Sequence, residues 1–447
     1  NQHSEEATGC RLLDVCILPN SDSQHGPVGT LDEPTFIRGL EQSVARHHSS
    51  IKVWNLSLSS ECECDESCVS DLAAKLDSLS DRYDVTFVVA AGNYKVCPLR
   101  TWPPTKEIAD RVTVPADSVR SIVVGSVAGS SRPSSAVKRF EPSPFSRRGP
   151  GPSYMIKPDV VHIGGNCSEY GDYSGQGVRS WAPDGSCVES IGTSFSTPEI
   201  ARLLASSHAS TVAPISTRVA KALLIHSALL PGFDRRPWGD ELHYYGFGMP
   251  CSLQSALTCR PSAVTLVWEA EVYYKTSFSV DDFPYPQCLK AGDRWLGDVS
   301  MTLLYNPPLN RQHGFEYCRV NLDASLGVYR VNAKTGKYEF KGQIPQDAEW
   351  DHLYEKSRVE HGFKWAPTKA YHRRMEKGIS GQNWRLKVSM LSRSGESIAS
   401  QRFVLVVTIS DPSGRADVYS DVVRQLQQRF ASQDLAVRQR IREVADM

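Results

Sequence analysis

The chain has 447 residues, 40% of them hydrophobic and 22% charged, with a formal net charge of +0. That is the composition of a globular protein of two or three domains. The balanced charge argues against bulk attraction to nucleic acid or to an acidic membrane surface, and no run of 18 or more apolar residues offers a membrane span.

The chain begins at Asn1, without Met and without a charged-plus-apolar leader, and reads as a processed or truncated product. "RLLDVCIL" (11–18) reads as a buried strand and "SDSQHGPVGTLDEP" (21–34) as a loop. Residues 34–48 have helical spacing, with Phe36, Leu40 and Val44 on one face beside Ile37. "IKVWNLSLS" (51–59) is the next strand, and residues 67–80 the next helix, with Leu72, Leu76 and Leu79 toward a core. "DVTFVVAAGN" (84–93) and "SIVVGSVA" (121–128) are two more strands. Strands alternating with helices of this length predict a parallel sheet covered on both faces, with chemistry at the carboxyl ends of the strands.

A helix is expected over 198–208 and a more apolar one over 215–229. From about 262 to 410 the runs alternate with period two. In "DVSMTLLY", Val299, Met301 and Leu303 point one way while Asp298, Ser300 and Thr302 point the other. "WRLKVSML" (384–391) and "FVLVVTIS" (403–410) follow the same rule, as in a β-sandwich. Residues 417–445 read as a polar helix with Val418, Val422, Leu426 and Phe430 four apart. The expected domains are therefore 1–260, 261–412 and 413–447.

Twelve cysteines are scattered along the chain. The densest group, Cys62, Cys64 and Cys68 in "ECECDESC", lacks paired zinc-ligand spacing, and no metal or cofactor is expected. Cys16 and Cys97 lie beside apolar runs and fit reduced thiols, hence a cytoplasmic setting.

The chemistry concentrates in "IGTSFSTPEIARLLASSHAS" (191–210). Gly192, Thr193 and Ser194 precede a proline placed for the first turn of a helix. A serine at a helix N-terminus faces free N–H groups and a dipole that favours negative charge, which suits a nucleophile whose substrate develops an oxyanion. The competing reading is that Ser194 and Ser196 are ordinary N-caps. "VVAAGN" adds Asn93, whose carboxamide can donate to an oxyanion, although Asn after Gly is also a common turn residue.

These stretches, in this order, resemble the subtilases, the subtilisin-like serine peptidases. "GTSFSTPEIA" is similar to the family's serine block, "VVAAGN" to its oxyanion-asparagine block and "NLSLS" to its substrate-pairing strand. Fainter likenesses are "TVPADSVRSIVVGSV" (113–127), "PFSRRGPGPSYMIKPDVV" (144–161) and "VAKALLIHSA" (219–228). The resemblance covers about residues 11–257. It implies an α/β parallel-sheet domain, Ser194 as nucleophile, Asn93 as oxyanion donor, and an extended peptide bound along Ser57, Leu58 and Ser59 with Ala91 and Gly92. It also implies a polypeptide substrate. Bacterial subtilases encoded beside an AAA-type ATPase share the likeness, which implies a regulatory ATPase as partner.

The family also needs an Asp and a His before the oxyanion strand. Aligned on "NLSLS", the stretch 11–18 matches the strand after the histidine helix, so both residues are expected upstream of Asn1. Asp14 and His25 are weaker candidates, because only ten residues separate them where the family uses a few dozen. His226 reads as a satisfied core histidine, His162 as a cleft candidate, and His47 and His48 as the end of a surface helix. The Gly- and Ser-rich stretch 166–190 reads as an active-site loop. Arg139, Arg147 and Arg148 read as a solvated basic loop rather than a site for acidic substrates. Three functions stay open: a serine endopeptidase completed by an upstream segment, a non-catalytic peptide-binding relative, and an interaction protein working through its β domain.

Overall fold

The computed structural model describes residues 12–16, 33–182, 184–211, 213–229, 241–252, 257, 259–332, 334, 336–346, 355–361 and 363–429. They divide into two compact units. One comprises Asn1–Pro152, Ile156–Ala209 and Asp240–Gly246; the other comprises Ser153–Met155, Ser210–Gly239 and Phe247–Met447.

In the first unit, helix α1 (Glu33–His47) buries Phe36, Leu40 and Val44, the three residues its spacing singles out. Helix α2 (Asp71–Tyr83) starts four residues later than expected, because Ser70 is its N-cap: the Ser70 hydroxyl accepts from the Ala73 N–H at 3.2 Å. Strands β1 (Val53–Leu56), β2 (Thr86–Ala90), β3 (Ile122–Val127) and β4 (Val160–Ile163) form a wholly parallel sheet in sequence order. β2 and β3 are buried on both faces, which is why they read as unbroken apolar runs.

Of the expected first strand, 11–18, only residues 12–16 are described. Residues 12–16 form no strand, Leu12 is 96% exposed, and only Val15 packs against the core. A strand needs a continuous ladder for its N–H and C=O groups, and these five residues form none. Residue 11 and residues 17–32, His25 among them, lie outside the described residues. β1 ends at Leu56, so Ser57–Ser59 are not strand. The segment read as one loop contains a hairpin, β5 (Val178–Trp181) against β6 (Cys187–Ser190). Helix α3 (Thr193–Ser210) begins five residues before the expected start, taking Pro198 inside it.

The second unit opens with α4 (Thr217–Ala228), capped by Ser216, and continues as antiparallel β structure. A small sheet runs β15 (Ile379–Ser380), β10 (Arg294–Trp295), β9 (Lys290–Ala291), and one four-stranded sheet runs β14 (Thr368–Arg374), β11 (Asp298–Tyr305), β17 (Ser400–Ser410), β7 (Ala263–Tyr273). The other runs β13 (Tyr338–Ile344), β12 (Val320–Val331), β16 (Gln382–Ser392), β8 (Ser277–Val280). Phe278 of β8 meets Phe403 of β17 edge to face, and Tyr285 stacks on Trp384 at 4.2 Å. β11 is buried on both faces, not one. Its polar side packs under α4, where His226 bonds Thr302 at 2.9 Å and Thr408 at 2.7 Å. Of the C-terminal helix, Val418–Arg429 is described; Phe430 and the residues after it lie outside. No helix among the described residues is long and apolar enough to cross a membrane.

Candidate functional site

The serine loop hangs from the end of β4. Gly192 donates its N–H to Gly164 O at 2.9 Å. Gly164 must be small, since a Cβ there would lie 2.3 Å from Ser126 Oγ. The chain then enters α3 at Thr193. Ser194 is thus the second helical residue, in the turn whose N–H groups have no intrahelical acceptor. Its N–H meets no other protein group among the described residues. Its side chain is half-buried, and Oγ donates to Ser57 O at 3.1 Å. Ser196 and Thr197 turn their hydroxyls back onto Thr193 O, at 2.9 and 2.7 Å. Pro198 brings no N–H to the ladder, so the Ser194 carbonyl loses its helical donor.

Asn93 reaches the same turn from the other side. Its Oδ1 accepts from the Thr193 N–H at 2.9 Å and from Thr193 Oγ1 at 3.2 Å. With Oδ1 so engaged, Nδ2 is the end left to donate, and no described protein group takes it. Gly92 permits this presentation. Its φ is +99°, and a Cβ would fall 2.3 Å from Thr113 Oγ1 and 2.9 Å from Arg147 Cδ. Arg147 N–H donates to Gly92 O at 3.2 Å and Tyr94 N–H to Phe145 O at 2.7 Å, clamping Asn93 to the neighbouring segment. Beneath both loops, Leu99, Phe145 and Cys167 form a small buried cluster, with Tyr94 and Ile191 packed on it.

The other expected site residues separate by exposure. Ser57 and Leu58 are half-buried, Leu58 against the core, and Ser59 is exposed. Ala91 is fully buried; its N–H bonds Val124 O at 3.0 Å and its carbonyl takes the Thr113 N–H at 3.3 Å.

Among the described residues no imidazole or carboxylate touches Ser194 Oγ. Asp14 is exposed on the segment before α1. His162 lies at the end of β4, where burial lowers its pKa against the opposing pull of Glu199, and its Nδ1 meets no partner among the described residues. His226 is fully buried in the second unit between two hydroxyls; burial drives its pKa down to about 3, so it stays neutral. His48 stacks on Tyr83 at 4.8 Å, at the end of α1.

The arginines correct the sequence reading. Arg147 is only 8% exposed and bonds Glu63 at 2.8 Å, and Arg148 bonds the buried Asp110 at 2.8 Å. Two adjacent arginines look solvated in sequence, but their acceptors come from segments more than thirty residues away. Only Arg139 matches the expectation, exposed over the Phe140 ring. Thr193, the link between Asn93 and the serine, was missed, although it stands inside the quoted block. The stretch 166–190 is tied by Glu189, which accepts from the N–H groups of Gly175 and Gly177, and it exposes Tyr170 and Trp181.

The family model described as "Subtilase family" matches residues 24–248, just over half of the chain. Among curated proteins, the chain is 28% identical over 293 residues to an uncharacterized protein, y4bN, of Sinorhizobium fredii (strain NBRC 101917 / NGR234), covering 58% of this chain and 67% of that protein. Solved structures similar to it include the prenylagaramide maturation protease PagA (18% identity, 51% of this chain and 68% of that one, TM-score 0.35). Another is the patellamide maturation protease PatA (21%, 50% and 66%, TM-score 0.33). A third is a lanthipeptide protease (18%, 54% and 68%, TM-score 0.36). The chain thus spans about two thirds of the length of each of these proteins.

Proposed function

The chain belongs to the subtilase family, and from that premise we propose that it is the nucleophile-bearing part of a serine endopeptidase. Ser194 attacks a peptide carbonyl, and the Ser194 N–H and Asn93 Nδ2 receive the oxyanion. The observation that carries this reading is the pair of uncommitted donors on either side of Thr193, beside a half-buried serine hydroxyl. One side-chain donor of this kind is worth about 2.7–4 kcal/mol in the rate. An extended polypeptide lies along Ser57–Ser59, where the chain has left its ladder.

A hydroxyl alone is a poor nucleophile and needs a base. We place that base, a histidine oriented by an aspartate, on a segment beyond the described residues. It takes the Ser194 proton on attack and returns it to the leaving amine, and water then releases the acyl group. An AAA-type ATPase as regulator is part of the same proposal.

A second reading rests on one observation: among the described residues the acceptor of Ser194 Oγ is the Ser57 carbonyl, which cannot take the proton. In that reading the cleft binds extended peptide without cutting it. Labelling with a fluorophosphonate probe separates the two. We expect the longest natural form of the chain to label, and Ser194→Ala to abolish it. Absence of labelling in that form would leave the peptide-binding reading.

A further inference from the structure

Asn93 can serve an oxyanion only while its Nδ2 stays aimed, and the residue before it works against that. Gly92 has φ +99° and no side chain, so the turn keeps more backbone freedom than any other residue would leave it. Three contacts from one residue limit that freedom. The Arg147 N–H donates to Gly92 O at 3.2 Å. Arg147 Cδ covers the bare Cα of Gly92, where a Cβ would lie 2.9 Å from it. The Arg147 guanidinium lies 6.0 Å from the ring centroid of Tyr94, the residue after Asn93. One arginine thus brackets Asn93 on both sides.

That side chain is buried and itself fixed. Arg147 Nη1 donates to Glu63 Oε1 at 2.8 Å and to Arg111 O at 2.7 Å. Glu63 forms a β-bridge with Thr113, whose N–H donates to Ala91 O at 3.3 Å. Ala91 precedes Gly92, so the anchor of Arg147 closes a ring through the turn that Arg147 holds.

We propose that Arg147 is a positioning residue for the oxyanion donor, an inference that rests on the reading of Asn93 as that donor. Anchored by Glu63 and Arg111 O, its side chain keeps the Gly92–Tyr94 turn in the conformation that aims Asn93 Nδ2. A preorganised donor is effective only in place, and a displacement of about 1 Å can cost about a hundredfold in rate. Arg147 acts through Asn93, so binding of peptide along Ser57–Ser59 is left alone.

The first test needs no turnover. In the full 447-residue chain carrying 15N-asparagine, the Asn93 side-chain amide signals are those lost in Asn93→Ala. We expect one sharp pair in the wild type and a broadened or doubled pair in Arg147→Met. Glu63→Gln, which removes the anchor and keeps the arginine, should broaden the pair as well, and it decides alone where Arg147→Met does not fold. Arg139→Met, at an exposed arginine, should leave the pair sharp. A single sharp pair in Arg147→Met and in Glu63→Gln would overturn the proposal.

The second test uses a form that labels with the fluorophosphonate. Arg147→Met should lower kcat about tenfold with KM within about twofold, and that loss should vanish in the Asn93→Ala background. An equal loss in both backgrounds would overturn the proposal. Absence of labelling counts against the peptidase reading alone, and the amide signals then decide whether Arg147 sets the Asn93 side chain.

Discussion

Asn93 Oδ1 accepts two hydrogen bonds from one residue, Thr193, a hundred positions later: the backbone N–H at 2.9 Å and the hydroxyl at 3.2 Å. The second bond is what a sequence motif does not explain and what a mutation can remove alone. Thr193→Val keeps the shape and the N–H. The hydroxyl bond is a neutral one, worth about 0.5–1.5 kcal/mol net. In an active form of the enzyme, kcat should fall by about three- to tenfold with KM little changed, whereas Asn93→Ala should cost about a hundred- to a thousandfold in kcat. Steady-state kinetics on a peptide substrate compares the two.

Gly92 and Gly171 separate backbone strain from crowding. Both have positive φ, +99° and +87°, but a Cβ at Gly92 meets Thr113 Oγ1 at 2.3 Å while one at Gly171 meets nothing within 4 Å. Gly171→Ala should cost about 1 kcal/mol of stability, from the left-handed backbone alone. Gly92→Ala adds overpacking and should cost about 2–4 kcal/mol. Urea denaturation of both variants reads the difference.

His226 ties the stability of the second unit to pH. Its folded pKa is depressed to about 3 by complete burial, while an unfolded histidine titrates near 6.5. Above that value both states are neutral and the group contributes no slope. As pH falls below it, the unfolded chain takes up a proton that the folded one refuses, so stability declines by up to about 1.4 kcal/mol per unit until the folded pKa is reached. Denaturation midpoints measured from pH 7 to pH 4 should fall, and His226→Gln should flatten the part of that slope due to this residue.

Among the described residues, Asp110 is the carboxylate that pairs with two largely buried arginines, Arg100 and Arg148. Asp110→Asn keeps the volume and removes the charge. It should destabilise the first unit by about 3–5 kcal/mol, as breaking a buried pair does. Glu61→Gln, at the exposed Lys95 pair, should leave the melting temperature close to that of the wild type. Thermal melts of the two variants test the contrast.

Wherever local spacing decides the structure, the sequence was readable. α1 and α2 bury the leucines and aromatics their periods mark, and β2 and β3 are the continuous apolar runs of a covered parallel sheet. Ser194 and Asn93 stand out in the sequence because each lies just after a glycine in a stretch that resembles a subtilase block, and the structure brings both onto Thr193. What stayed hidden depends on partners distant in sequence. Residues 12–16 have the composition of a strand but form no ladder among the described residues. Arg147 finds Glu63 across eighty-four residues, and the polar side of β11 is covered by α4. The start of α3 was misplaced for a local reason: Pro198 looked like a first-turn residue, yet the helix had begun with the hydroxyl residues before it.

The small cluster of Leu99, Phe145 and Cys167 stands behind both donor loops, gripping Tyr94 on one and Ile191 on the other. Asn93 and Ser194 are therefore fastened from the rear. Such a layout divides labour mechanically. Under the proposed function, loops outside this cluster can change their side chains, and with them the peptide admitted, while Ser194 and Asn93 keep their spacing.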